Sequence, residues 1–196
     1  MKEINETNYC ILTGMLINKG RNADTKDMKR PVLDIEIVNT DSNGEISFVE
    51  IPVLLSDVVL SKAVPGYCIG EILTVSGELR VDDSSGIYIE ANAIVRLQPK
   101  TERLRSLAIS RSDLLQMTQR FNLASIVGIV NEDSTVTVQR DVYSRGDLKK
   151  EDKIPISLLS VKDIPIGEKI FCTGKLGNTK NCPSLNLYIS NLYVLV

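Results

Sequence analysis

Phe48 in ISFVEIPVLL, Tyr88 in GIYIEANAIV and Tyr188 in LNLYISNLYV are rings set in runs of alternating apolar and polar residues. In the first run Val49, Ile51 and Val53 share one face of a strand, so Phe48 and Glu50 project from the other. In the second, Ile87, Ile89, Ala91 and Ala93 make the inward row, and Tyr88, Glu90 and Asn92 point outward. Tyr188 is expected to occupy the register of Tyr88 in a second, similar strand. An outward ring offers a flat π face, which stacks on a planar ligand group or fills an interface between barrels or subunits. Cations gather in two stretches. NKGRNADTKDMKR (18–30) holds Lys19, Arg21, Lys26, Lys29 and Arg30, diluted by Asp24 and Asp27. QRDVYSRGDLKK (139–150) holds Arg140, Arg145, Lys149 and Lys150 around Tyr143 and is the better patch. Rings interleaved with cations stack on planar groups and neutralise a polyanion; the alternative for the second stretch is a solvated hairpin.

Bond-making chemistry has little support. The chain has no histidine to act as a general base. GEKIFCTGK resembles a phosphate loop superficially, but six residues separate its glycines where four are required, and Leu176 stands in place of Ser or Thr. The four cysteines (Cys10, Cys68, Cys172, Cys182) are scattered without a C-x-x-C pair, which predicts buried, reduced thiols in strands and no metal site. A non-enzyme without cofactor is therefore expected. The net charge of −2 is unevenly spread: 9 Lys/Arg against 15 Asp/Glu in residues 1–98, 4 against 2 in 99–118, and 10 against 8 in 119–196. Any polyanion would be met by a local patch and not by a global field. No apolar run approaches the ~18 residues that cross a bilayer, so a cytoplasmic protein without membrane contact is expected.

The elements that must carry these residues are written twice. GEILTVSGELR (70–80) returns 97 positions later as GEKIFCTGKLG (167–177). NYCILTG (8–14) faces FNLASIVG (121–128), EIPVLLS (50–56) faces KIPISLLS (153–160), and IYIEANAIVRL (87–97) faces LYISNLYVLV (187–196). Each copy reads as strands with turn chemistry at 41–44 and 82–86 in the first. SDVVLSKAV (56–64) suits a short helix with Ser56 as N-cap, giving three strands, a helix and two strands. That order is the OB-fold, a small five-stranded barrel. Gly77 and Gly174 are expected mid-strand, where another backbone comes too close for a side chain.

Asn8-x5-Gly14, Phe48-Val-Glu-Ile and the Gly70–Arg80 phrase resemble the bacterial single-stranded DNA-binding protein family and the related primosomal replication protein N. The resemblance implies an all-β chain of two tandem OB barrels: an N-terminal domain over 1–98, a partly helical linker over 99–119 and a C-terminal domain over 120–196. It implies sequence-nonspecific binding of single-stranded DNA in replication, recombination or mobile-element maintenance. Base stacking would fall to Phe48, Tyr88, Tyr188 and Tyr143. Phosphate contacts would come from Lys19, Arg21, Lys26, Lys29, Arg30, Arg80, Arg140, Arg145, Lys149 and Lys150. It further implies self-association, a dimer supplying four barrels, and contacts with replication proteins. An OB-fold protein-interaction module and an RNA-binding protein are the alternatives.

Overall fold

β-Branched and apolar residues alternating with polar ones make almost every described segment a strand, in a computed structural model that describes residues 6–25, 28–40, 44, 46–55, 64–82, 86–97, 115–116, 118–119, 121–141, 149–158, 165–179 and 182–195. The strands are β1 (Thr7–Thr25), β2 (Met28–Thr40), β3 (Ile46–Leu55), β4 (Ile72–Asp82) and β5 (Gly86–Leu97), followed by β6 (Asn122–Val130), β7 (Thr135–Asp141), β8 (Lys149–Leu158), β9 (Lys169–Thr179) and β10 (Cys182–Val194). A 3₁₀ turn, Val64–Gly66, precedes β4. The predicted helix at 56–64, apart from Val64, and most of the linker at 99–119 lie outside the described residues; Leu115, Gln116 and Thr118 are helical in backbone, and Thr118 Oγ1 donates to the Leu115 carbonyl at 2.8 Å. Among the described residues no helix is long and apolar enough to cross a membrane.

β2, β3, β5, β4 and β1 are neighbours in that order, and a further β1–β2 pairing closes them into a five-stranded ring. β6, β7, β8, β10 and β9 are neighbours likewise, with β6–β9 completing the circuit. In each ring one ladder is parallel: Val53 pairs with Ile89 and Leu55 with Ala91, and Ile156 pairs with Leu187 and Leu158 with Ile189. The first ring is filled by Leu12, Leu16, Leu33, Ile35, Ile51, Leu73, Leu79 and Ile89, and the second by Ile126, Val136, Ile154, Ile170, Leu187 and Ile189. Each such side chain contributes about 1.5–3 kcal/mol by leaving water.

The glycines of the repeated phrase do what their spacing predicts. A Cβ on Gly77 would lie 2.2 Å from the Glu90 carbonyl oxygen, and one on Gly174 would lie 2.2 Å from that of Tyr188. Backbone cannot retreat as a flexible side chain does, so only hydrogen fits. Other alternation expectations end at that crossing. Ala93 is exposed and not inward, because the inward row of β5 stops at Ala91, beside Gly77. Cys10 and Cys172 are buried thiols, but Cys68 is exposed in the turn before β4.

Contacts divide the chain into two compact units that do not follow the halves of the sequence. One comprises Ile11–Glu78 and Tyr88–Asn122; the other joins Met1–Cys10 and Leu79–Ile87 to Leu123–Val196. Inside the composite unit the Asn8 amide grips Leu79 from both sides. Its Nδ2 donates to the Leu79 carbonyl at 2.6 Å, and its Oδ1 accepts from the Leu79 amide at 3.0 Å. Asn8 thus acts as one rung of a strand. The motif Asn8-x5-Gly14 has a mechanical reason at its first residue as well as its last.

Candidate functional site

The stretch 18–30 is a ribbon where the sequence suggested a loop. β1 and β2 remain paired from Lys19 opposite Leu33 out to Thr25 opposite Met28, with register shifts between Leu16 and Asn18 and between Lys19 and Arg21. The thirteen residues of β2 are long enough to follow β1 beyond the ring, and cross-strand bonds satisfy both backbones. Arg21, Lys29 and Arg30 are strand residues of this ribbon, opposite Val32, Asp24 and Ala23 respectively, and Lys26 lies outside the described residues. Lys19 Nζ donates to the Tyr67 carbonyl. Tyr67 in turn lies under the Arg96 guanidinium at 5.3 Å, and Arg96 Nε stands 3.1 Å from Glu71 Oε2. Lys19 is therefore joined to a cluster that fixes the turn before β4.

Phe48 and Tyr88 share the outward face of neighbouring strands, as their parity predicts. Phe48 is 48% exposed and Tyr88 is half-buried. With Val53 opposite Ile89, Tyr88 falls beside Pro52, so Phe48 lies four residues, about 13 Å, farther along β3. Glu50 lies between them on the outward row, and Glu90 lies beyond Tyr88, opposite Leu54. This is an acidic surround for rings expected to meet a polyanion.

Tyr188 is not in Tyr88's register. Ile51-Pro52 on β3 corresponds to Ile154-Pro155 on β8, and the parallel ladders then set Val53 and Ile89 against Ile156 and Leu187. Tyr188 therefore stands where the first ring has Glu90, and Asn186 where it has Tyr88. The two glycine approaches agree, since Gly77 meets Glu90 and Gly174 meets Tyr188. Sequence alignment of the last strands slipped by two residues, which preserves the face and hides the error. Tyr188 is half-buried and its hydroxyl is buried without a hydrogen-bond partner.

Two predicted phosphate ligands are instead joined to one carboxylate. Arg80 is 7% exposed and its Nη1 lies 3.4 Å from Asp152 Oδ2; Arg140 Nε lies 3.2 Å from the same oxygen. The Val81 amide donates to Asp152 Oδ1 at 3.3 Å, and Asp152 is 1% exposed. By the same correspondence Asp152 occupies the position of the inward Val49. A carboxylate set in an apolar row needs compensating charge, and two guanidiniums provide it. Sequence could not anticipate this trio, because Arg80 and Asp152 are 72 positions apart. Lys150 is exposed beside it, opposite Arg140 in the ladder; Lys149 pairs with Asp141, and Tyr143 and Arg145 lie outside the described residues.

A pair of rings that the repeat analysis passed over is brought together on the outer face of the second ring. Phe171 and Tyr193 are opposite one another on β9 and β10, with ring centroids 6.1 Å apart and planes 20° from parallel. Phe171 is outward because Cys172 is inward, a signal present in the sequence. Tyr193 is outward only because the register shifts between Ile189 and Asn191. Uninterrupted alternation from the buried Ile189 would have sent it inward. Burial pushes the Cys172 thiol up to about 12, so it stays protonated. Among the described residues no group of three His, Cys, Asp or Glu side chains is placed to hold a metal ion.

Against known structures, the chain is similar to the wild-type single-stranded DNA-binding protein of Thermus aquaticus, with a TM-score of 0.62 at 14% identity over 98% of this chain and 95% of that one. A deletion mutant of the same protein gives a TM-score of 0.63 at 13% identity, over 98% and 96%. No family model and no curated protein matches the sequence. The fold is thus the OB-fold of single-stranded DNA-binding proteins, nearly all β around a closed five-stranded barrel.

Proposed function

We propose that this protein binds single-stranded DNA without strong sequence preference and performs no catalysis. One observation carries the reading: the likeness to the Thermus aquaticus protein runs through 98% of this chain and 95% of that one, well beyond the length of a single barrel. On this reading the two rings are tandem OB barrels, centred on 1–98 and 120–196 and linked through 99–119. The outward Phe48 and Tyr88 stack bases, and the stretch 18–30, with Arg21, Lys26, Lys29 and Arg30, follows the phosphates. The stretch 139–150, with Tyr143, Arg145, Lys149 and Lys150, does the same for the second barrel. Self-association into a four-barrel particle and a cytoplasmic role in replication, recombination or mobile-element maintenance follow from the same reading. Arg80 and Arg140 contribute through Asp152 and not through phosphate.

Titration with oligo-dT at several salt concentrations tests this. Binding near 50 mM salt that weakens along a linear log–log salt plot is expected. No binding there, or a flat response, overturns the proposal. The carboxylates of Glu50 and Glu90 on either side of Tyr88 favour a second reading, a protein-interaction module. It predicts that Phe48→Ala with Tyr88→Ala changes particle size in sedimentation and leaves oligonucleotide affinity untouched.

A further inference from the structure

Part of the compact unit around the second ring is built from residues of the first. Leu79–Ile87 and the chain up to Cys10 belong to the same unit as Leu123–Val196. Glu6 accepts from the Gln139 amide on β7, and Asn8 holds Leu79 in line, so that Arg80 and Val81 reach Asp152 on β8. Both hydrogen bonds that the Asp152 carboxylate accepts come from this incoming segment. Arg80 Nη1 donates to Oδ2 at 3.4 Å, and the Val81 amide donates to Oδ1 at 3.3 Å. Arg140 Nε, 3.2 Å from Oδ2, adds its charge without a hydrogen bond to that carboxylate.

None of the three charged side chains has a charged counterpart in the other ring. Ile51-Pro52 matches Ile154-Pro155, which sets Val49 at the position of Asp152 and Asn39 at that of Arg140. Gly77 matches Gly174, which sets Gly177 at the position of Arg80. Val49 is buried in the apolar row of β3. The donor is thus written on the first ring alone and the acceptor on the second alone.

A carboxylate as buried as Asp152, 1% exposed, needs donors as well as charge. Were a second ring to bring its own β9 to this place, Gly177 would supply no guanidinium and Asp152 would lose its side-chain donor. Were a first ring to receive the β4 end of another first ring, the Arg80 guanidinium would face Val49 and Asn39 where it now faces a carboxylate. Only the unlike combination matches every group.

We infer that Arg80, Asp152 and Arg140 form a recognition code, by which the β7–β8 ladder of a second ring accepts the β4 end of a first ring and rejects the equivalent strand of another second ring. Such a code acts through the mismatches it excludes as much as through the bonds it makes. The partner it fits is a strand end carrying an arginine, from this chain or, by exchange, from a second copy of it. The inference holds whether or not the protein binds DNA.

The test uses full-length chains in complementary pairs. Arg80→Leu removes the incoming cation, Asp152→Val/Arg140→Asn writes the first ring's residues into the receiving ladder, and a triple variant combines all three changes. Each partial variant keeps one half of the code and is expected to unfold at lower urea than wild type, while the triple variant regains most of the loss. The two partial variants are then refolded together, one of them isotope-labelled, and weighed by native mass spectrometry. Exchange of rings between the two chains matches both contacts at once. Mixed dimers are therefore expected to outnumber like-chain dimers about tenfold or more, where chance gives equal numbers, and the mixture to unfold above either variant alone. Partial variants as stable as wild type overturn the inference. So does a triple variant no more stable than either partial one, or a refolded mixture with mixed dimers at the chance level.

Discussion

The two rings share an interior and differ on the outside at one corresponding spot. In the first, Met15, Val38 and Ile72 point outward and are nonetheless buried, in a cluster completed by Leu115. The glycine contacts give the counterparts in the second: Gly14 meets Glu36 as Gly128 meets Thr137, so Met15 corresponds to Ile129, Val38 to Gln139 and Ile72 to Lys169. Ile129 and Gln139 are exposed there and Lys169 is half-buried. A cluster of outward apolar residues becomes buried only where another side chain covers it. Leu115 is that cover, and Gln139 and Lys169 adapt the second ring to water. The interior thus fixes the strand packing in both rings, and the exterior separates one ring from the other.

The sharpest way to break this comparison is at the exception inside the second ring. Asp152→Ala leaves Arg80 and Arg140 with no carboxylate between them and is expected to destabilise by about 3–5 kcal/mol in urea unfolding. A loss under 1 kcal/mol would mean that the trio carries no weight. Next come the glycines. Gly77→Ala and Gly174→Ala each drive a methyl into a carbonyl oxygen, and each should cost about 3 kcal/mol. Equal drops in melting temperature sharpen the correspondence, and a drop in only one breaks it. Leu115→Ala opens a cavity over the first ring alone, costing about 2–3 kcal/mol. Hydrogen exchange should quicken in β1 and β2 around Met15 and Val38 while β6 and β7 keep their protection; uniform quickening would refute the assignment of Leu115 to the first ring.

The smallest effect is a pH dependence. Cys172 stands where the first ring has Val75, and burial raises its thiol from 9.0 to about 12. Below pH 9 both folded and unfolded forms hold the proton, and the thiol adds no pH dependence. Between pH 9 and 12 the unfolded thiol ionises while the folded one does not, so stability falls as pH rises, by about 1.4 kcal/mol per unit. Cys172→Val should remove this part of the alkaline loss in melts between pH 8 and 10.5. If wild type and variant fall in parallel, the buried thiol is not its source.

Much of the scaffold was legible because it depends on nearest neighbours in sequence. The repeat of Gly77 as Gly174, the inward rows, and the outward parity of Phe48 and Tyr88 all follow from alternation and the bulk of a single Cβ. The site was less so. The stretch carrying Arg21, Lys29 and Arg30 reads as a polar loop, yet pairing far from the core holds it as a ribbon. Arg80 and Arg140 read as cations for phosphate because strand pairing alone sets Asp152, on β8, against Arg80 of β4 and Arg140 of β7. Tyr188 slipped by two positions, a shift that preserves every apolar-polar alternation and so leaves no trace in the sequence.

By itself the sequence determined a nearly all-β chain with glycines at strand crossings, because strand period and glycine position are local properties of the backbone. Tertiary structure alone decided which charges are neutralised, which outward apolar residues find a cover, and that a one-residue shift after Ile189 turns Tyr193 toward Phe171. Those outcomes depend on the register between strands far apart in the chain. Register is settled by the packing of whole faces and not by any residue's own preference.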